Sequence, residues 1–444
     1  AKLRQRHYAA YLHLFRTADS HLRGPEAASW WARLVPEQAN FRAAIQWTLD
    51  EAHYVDAAWL IVASTWFWEQ RGQQSDEVTR WLAQLLPHRH ALAINLRLAI
   101  FIILHASSRD VPGEFQPLSR YTDEIMALLE VSSDKLLQSI AWYFMSVHYA
   151  DFPQKAAILE RSIALARLAS DLPGPGPEFC LLSDRDFVLG TALYEYARRL
   201  VRRGEFVRAE SLAKESVTLF LARGNRHERA GGLGTLGLLA LLQGDLVQAH
   251  THLHEAVTIA AAVNYRLMLG IWQPLLGIVT LYGGNITEAR RLLTESLHLC
   301  LELENKYFVA QVCIYLAETA LWAGELAQAE HWLVQNLAQD VDLQQSNIFT
   351  VEWLWVAARL ATGQQQYQPA ATLFGLADQM HGQVHYAIAG PMRALADAAL
   401  AMVRAALDPA AFAAAFATGQ QLSLEEAYAT ILAPSQVVGA PTKG

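Results

Sequence analysis

Gly204-Glu205-Phe206-Val207-Arg208-Ala209 returns as Gly244-Asp245-Leu246-Val247-Gln248-Ala249, then as Gly284-Asn285-Ile286-Thr287-Glu288-Ala289 and Gly324-Glu325-Leu326-Ala327-Gln328-Ala329. The interval is 40 residues each time (204, 244, 284, 324), and a period of this length marks stacked supersecondary units rather than one central core. Ahead of each glycine the apolar residues recur at helical spacing, as Leu193, Tyr196, Ala197 and Leu200, then Leu233, Leu236, Gly237 and Ala240. The glycine therefore ends a first helix and the residues behind it open a second. Asp, Asn or Glu just after the glycine suits helix capping and the positive end of the helix dipole.

Ala197, Gly237, Gly277 and Ala317 precede the recurring alanines by twelve positions, which predicts small residues where the paired helices cross most closely. The same separation makes the unit resemble the tetratricopeptide repeat. Its length exceeds that family's 34 residues by six, which implies longer helices and a wider superhelix. Leucine often replaces the aromatic consensus residues, so the units are TPR-like. The expected fold is all-α, a superhelical solenoid of antiparallel helix hairpins.

Outward from these four copies the pattern loosens. In a fifth, Val356, Ala357 and Leu360 keep phase, and Gly363 comes one residue early before Ala370, Ala371 and Phe374. Residues 139–170 read as a hairpin around Pro153, 91–130 as another and 53–86 as the first. The implied organisation is an N-terminal helical segment over 1–52, divergent hairpins over 53–170, a Pro/Gly-rich insertion or hinge over 171–187, regular repeats and closing helices over 188–434, and a tail over 435–444.

Composition agrees with a folded helical protein: of 444 residues, 53% are hydrophobic, and the 15 prolines and 25 glycines fall mostly between helix-like segments. A net charge of -8 with scattered basic residues excludes an electrostatic footprint for nucleic acid. Cys180, Cys300 and Cys313 have no paired spacing, which fits a reducing cytoplasm. No signal core and no membrane-spanning run is read, because Asn95 and Arg97 interrupt the apolar stretch Ala91 to His105. The chain opens on Ala1 rather than Met and reads as a segment of something longer.

Three local matches extend the resemblance. Glu37-Gln38-Ala39-Asn40-Phe41-Arg42-Ala43-Ala44-Ile45-Gln46-Trp47 is similar to the segment that joins the nucleotide-binding and winged-helix part to the repeats in bacterial STAND signalling ATPases. Phe67-Trp68-Glu69-Gln70-Arg71-Gly72 with Trp81-Leu82 resembles the first repeat of that group. Ala371-Thr372-Leu373-Phe374-Gly375-Leu376-Ala377, Phe412, Phe416 and Leu422-Ser423-Leu424-Glu425-Glu426-Ala427 resemble its closing repeats. The resemblance implies a cytoplasmic regulator in which a C-terminal repeat domain senses a signal and releases an ATPase core to oligomerise and drive an output such as transcription. This chain corresponds to the sensor, with the nucleotide-binding core and an unknown effector as partners. No GxxxxGK[ST] loop is present, so no nucleotide cofactor and no ATPase activity is expected of it.

Two motifs invite chemistry and are better explained without it. His250-Thr251-His252-Leu253-His254 puts two histidines one turn apart, but no acidic or Cys partner stands at metal-motif spacing, so the run reads as a solvated helix face. Gly232 to Gly237 spells GxGxxG without the preceding strand that a dinucleotide fold requires. Glycine in a helix costs about 1 kcal/mol relative to alanine. Either a neighbouring helix comes close there or a ligand rests on bare backbone.

In TPR-like arrays the first helices line the concave face, which is where ligand recognition is expected. Positions three before and one, four and five after the small packing residue predict an inward set: Tyr194, Arg198, Val201 and Arg202; Gly234, Leu238, Leu241 and Leu242; Pro274, Ile278, Leu281 and Tyr282; Ile314, Glu318, Leu321 and Trp322. From these, Tyr194, Arg198, Arg202, Leu238, Leu242, Ile278, Tyr282, Glu318 and Trp322 are the candidate ligand-binding residues. Their alternative role is packing between repeats, and the alternative function is a protein-interaction scaffold without a small-ligand pocket. The seven early tryptophans, Trp30, Trp31, Trp47, Trp59, Trp66, Trp68 and Trp81, read as structural.

Overall fold

The computed structural model describes residues 2–22, 26–69, 75–108, 119–146, 152–169, 185–222, 226–262, 265–337, 339, 348–383 and 386–427; among them all regular structure is helical and no strand occurs. Most of the predicted insertion or hinge (171–184), the 435–444 tail and Gln70-Arg71-Gly72 lie outside the described residues.

The helices run in order α1 (Lys2–His21), α2 (Ala27–Leu34), α3 (Gln38–Asp50), α4 (Tyr54–Glu69), α5 (Ser75–Leu85), α6 (Ile94–Ser108), α7 (Thr122–Val131), α8 (Lys135–Met145), α9 (Phe152–Leu168), α10 (Arg185–Arg202) and α11 (Phe206–Ala222). There follow α12 (Arg226–Gln243), α13 (Leu246–Ala262), α14 (Arg266–Tyr282), α15 (Ile286–Glu302), α16 (Lys306–Trp322), α17 (Leu326–Leu337), α18 (Ile348–Gly363), α19 (Tyr367–Gln383), α20 (Gly390–Ala406) and α21 (Pro409–Gly419). The chain divides into two compact units, the first of residues 1–197, 211–232 and 262–265, the second of 198–210, 233–261 and 266–444.

In the first unit α4 packs on α5, α6 on α7 and α8 on α9. Small residues set the last crossing: the Ser139 and Ser162 hydroxyls each donate to the other's backbone carbonyl at 2.8 Å, satisfying both buried groups at the point of closest approach. Pro153 stands at the second position of α9, where its missing N–H has no helical partner to lose. The N-terminal helices are joined by rings. Phe15 stacks on Phe41 at 3.9 Å and meets Phe67 edge-on at 5.5 Å, and Trp68 packs against Phe41, Phe67 and Trp81.

The second unit repeats one turn. Gly204, Gly244, Gly284 and Gly324 have φ of +78, +82, +91 and +75°, and nothing lies within 4 Å of an added Cβ. Glycine is favoured there by backbone conformation alone. The residue after each glycine donates back to the carbonyl five positions earlier, as Glu205 N–H to Leu200 and Asp245 N–H to Ala240, closing the first helix. Asp245 and Asn285 then accept from the N–H groups of Gln248 and Glu288, as capping predicts. At the crossings a Cβ on Gly237 would lie 2.6 Å from Leu253 Cγ, and one on Gly277 2.8 Å from Leu293 Cγ. The small residue thus receives a leucine one turn beyond the fully buried Ala249 or Ala289.

The fifth copy departs from the sequence reading. Gly363 ends α18, and the left-handed residue is Gln365, with φ of +60°. Gln365 stands 41 residues after Gly324 (365 − 324), so this copy runs one residue late rather than early. Ala358 and Ala370, twelve apart and both fully buried, are its small pair.

Within this unit α14 packs on α16 and α16 on α18, while no comparable packing joins α15 to α17 among the described residues. The first helices α14, α16 and α18 therefore pack on one another. Beyond them α19 packs on α20 and α21, the latter through glycines so close that a Cβ on Gly375 would strike the Phe416 carbonyl and one on Gly419 that of Thr372. Between α19 and α20 the segment 386–389 returns to α10, where Ala387 N–H donates to the Arg202 carbonyl at 2.6 Å. A Cβ on Gly390 would lie 4.0 Å from the Leu242 carbonyl oxygen.

Candidate functional site

The first helices of the second unit carry two stripes that the helical period creates. On α16, Gln311, Tyr315, Glu318 and Trp322 follow at steps of four, three and four, and so share one face. Their side chains are linked along it: Gln311 donates to the Tyr315 hydroxyl at 3.0 Å, and Trp322 Nε1 donates to Glu318 Oε1 at 3.2 Å. On α18, Phe349, Glu352 and Arg359 form the facing stripe, with Arg359 donating to the other oxygen of Glu318. Glu318 is wholly buried, and these two donors share its charge.

Tyr282, at the end of α14, extends the set, its ring 6.1 Å from that of Trp322. Arg202, at the end of α10, lies over Phe349 at 5.9 Å, and Tyr307 meets the same ring edge-on at 4.7 Å. Leu238 and Leu242 on α12 and Ile278 on α14 are buried.

Two polar atoms stand out. Glu352 is 4% exposed and Tyr282 9%, yet Glu352 Oε2 and the Tyr282 hydroxyl have no hydrogen-bond partner among the described residues. Burial pushes the Glu352 carboxyl up to about 7; Arg202 opposes the shift and Glu318 reinforces it. Burial also holds the Tyr282 hydroxyl well above its ordinary range, helped by the negative charges of Glu318 and Glu352. An unpartnered buried polar atom is unfavourable by about 1–3 kcal/mol, so a pair in one place calls for an explanation.

Of the sequence-derived candidates, the structure brings together Arg202, Tyr282, Glu318 and Trp322, with Arg198 near Tyr307 on the same side. Tyr194 falls in the first unit, where it is buried near Glu228, Tyr143 and Tyr265 and covers Gly231. Glu352, Arg359 and Tyr315 were missed. Arg359 sits one after Ala358, as Glu318 sits one after Ala317, and Glu352 sits six before Ala358, as Gln311 sits six before Ala317. The spacing of Ala358 and Ala370 places Arg359 at an inward position, whereas Glu352 and Tyr315, six and two before their small residues, fall outside the inward positions in either register.

The glycine cluster of α12 is explained by packing. A Cβ on Gly231 would meet the Tyr194 ring at 2.9 Å, on Gly232 Val217 at 2.7 Å, and on Gly234 the indole of Trp272 at 2.2 Å. Side chains of neighbouring helices rest on the bare backbone, and Gly234 faces the adjoining repeat. His250 and His254 stack at 5.8 Å, and no group of three His, Cys, Asp or Glu suited to a metal occurs among the described residues. No described helix is long and apolar enough to cross a membrane.

Neither a protein-family model nor a curated protein matches the sequence. Among solved structures the chain resembles a Rap protein complexed with Competence and Sporulation Factor, at 12% identity and a TM-score of 0.50, over 79% of this chain and 98% of that one. It is also similar to aspartyl phosphate phosphatase F from Bacillus subtilis (9% identity, TM-score 0.47, 82% and 93% covered) and to a putative kinesin light chain from Podosopora anserina with nearly identical TPR-like repeats (20%, 0.33, 43% and 94%). The Rap likeness is one of fold: an all-α solenoid of TPR-like hairpins.

Proposed function

We propose that this chain is the non-catalytic sensor domain of a cytoplasmic STAND-type signalling ATPase, and that an effector bound on its first-helix face controls activation and oligomerisation of a nucleotide-binding core elsewhere in the protein. The observation that carries the reading is the pair of buried, unpartnered polar atoms on Glu352 and Tyr282, set among Arg202, Tyr315, Glu318 and Trp322. A rigid face of aromatic rings with a few charged groups is suited to recognition: rings supply contact area at low entropic cost, and charges fix orientation. The effector is a small molecule, peptide or protein. A peptide draws support from the solved Rap structure, which holds Competence and Sporulation Factor on a similar fold.

A second reading, a protein-interaction scaffold that uses the second helices, has its own observation. Val207 and Val247 occupy the same position of successive repeats and are 87% and 74% exposed.

Thermal stability of the purified chain against sugars, nucleotides, amino acids, peptides and metabolites separates the two. A ligand at about 100 times its dissociation constant adds roughly 2.7 kcal/mol. A melting shift that Trp322→Leu abolishes and Val247→Asp leaves intact supports the sensor. Failure of every compound, with a partner captured in a Val247-dependent way, would sink it in favour of the scaffold.

A further inference from the structure

The first-helix face contains an opposite-charge pair that does not close. Arg202 and Glu352 influence each other electrostatically, yet no hydrogen bond or ion pair joins them. The Arg202 guanidinium has the Phe349 ring as its partner among the described residues. Phe349 and Glu352 are three apart on α18 and share one face, so the guanidinium over the one lies on the face that carries the carboxyl of the other. The second pair on this face, Glu318 and Arg359, is by contrast closed by direct hydrogen bonding.

We propose that Arg202 and Glu352 are the two ends of a binding site for a zwitterion, a ligand bearing both a carboxylate and an ammonium group, such as a free amino acid or a short peptide with open termini. The ligand carboxylate lies on the Arg202 guanidinium, whose planar fork matches it in bidentate geometry. The ligand ammonium donates to Glu352 Oε2 and to the Tyr282 hydroxyl, supplying the hydrogen bonds that these buried atoms lack. The proposal rests on reading this face as the effector site.

Charge balance selects a zwitterion over a simple ion. With both carboxylates ionised, Glu318 with Arg359 and Glu352 with Arg202 are each neutral as pairs, Arg198 stands near Tyr307 on the same side, and a zwitterion adds no net charge. A lone anion offers Glu352 no donor. A lone cation leaves Arg202 unanswered and adds positive charge beside it. Trp322 and Tyr282, close to each other, add ring surface on which an ammonium is favoured.

The test is calorimetric titration of the purified chain with glycine, 5-aminopentanoate, trialanine and pentaalanine, and with trialanine capped as N-acetyl or C-amide. At least one open zwitterion is expected to bind, and the series of lengths reports the spacing of the two ends. Each cap weakens binding about tenfold or more, as do Arg202→Gln and Glu352→Gln. N-acetylation removes the effect of Glu352→Gln and amidation that of Arg202→Gln, a coupling that a merely structural role would not produce. Wild-type affinity rises between about pH 6 and pH 8 as Glu352 ionises, and Glu352→Gln flattens the rise.

Three outcomes overturn the proposal: no binding of any zwitterion at about 10 mM, equal binding of capped and open peptides, or binding indifferent to both substitutions. Each leaves the sensor reading standing if another compound still binds in a Trp322-dependent way. If no compound does, that reading falls as well.

Discussion

Two regions of this protein are dense in aromatic rings, and they are built differently. Around Phe15, Phe41, Phe67 and Trp68 of the first unit, ring meets ring on nearly every side, and the one unpartnered polar atom recorded for these four is the neutral indole N–H of Trp68. Charged groups stay at its margin, where Arg42 lies over Trp68 and pairs with Glu77. Around Tyr282, Tyr315, Trp322 and Phe349 of the second unit, rings alternate with buried carboxylates and arginines, and a carboxyl oxygen lacks a partner. Aromatic density alone therefore accompanies packing; an unpartnered carboxyl oxygen among the rings is what distinguishes the face proposed for the effector.

The largest effect that tests this contrast comes from the first region. Phe41→Ala removes a fully buried ring and should lower stability by about 3–5 kcal/mol, equally at pH 5 and pH 8, because no titrating group is lost with it. Chemical denaturation at both pH values measures this. A strongly pH-dependent loss would break the contrast by showing that the first cluster also carries charge.

Next in size is Glu352→Gln. The folded carboxyl titrates at about 7 against an ordinary 4.5, so folding takes up a proton between these values. Stability contributed at this position is then lost as pH rises from 4.5 through about 7, and stays lost above. The amide cannot ionise. The variant should match wild type near pH 4.5 and exceed it at pH 8 by on the order of 3 kcal/mol. Urea denaturation of both proteins across that range provides the difference, and a gap that does not change with pH refutes the assignment of the buried charge.

A smaller loss is expected where ring packing uses bare backbone. Gly234→Ala places a Cβ 2.2 Å from the Trp272 indole, which must shift, at about 1–3 kcal/mol. Melting temperature reports it, and wild-type stability would show that the indole has room to move. The buried Trp272 Nε1 also lacks a partner, but like that of Trp68 it is uncharged, and on the present contrast it marks packing.

These residues also show why the fold was more legible than the site. The turn glycines recur because a left-handed residue has few substitutes, so the hairpins from Gly204 to Ala329 could be read by eye. The phase of the fifth copy could not. Gln365 takes the glycine's conformation without its identity, while Gly363 offers a decoy inside α18. A one-residue error turns a helix by about 100°, so with Ala357 taken as the small residue the position matching Glu318 falls on Ala358 instead of Arg359, while Glu352, six before Ala358, lies outside the inward positions in either register. Tyr194 shows the other limit: the right position in a repeat does not say which neighbour covers it.

The smallest effect separates backbone strain from charge burial within the second region. Gln365 adopts φ of +60°, which is unfavourable for a residue with a Cβ by about 1–2 kcal/mol. Gln365→Gly relieves this, while glycine's greater freedom in the unfolded chain returns part of the gain, leaving a net stabilisation of roughly 0.5–1 kcal/mol. The turn sets the register of α18 against α19 but makes no contact with the Glu352 carboxyl, so the gain should be equal at pH 5 and pH 8 and should add to that of Glu352→Gln. Denaturation of the two single variants and the double variant measures both. Non-additivity would mean that the strained turn and the unpaired carboxyl are one device, with the late register of the fifth copy holding Glu352 where it lacks a partner.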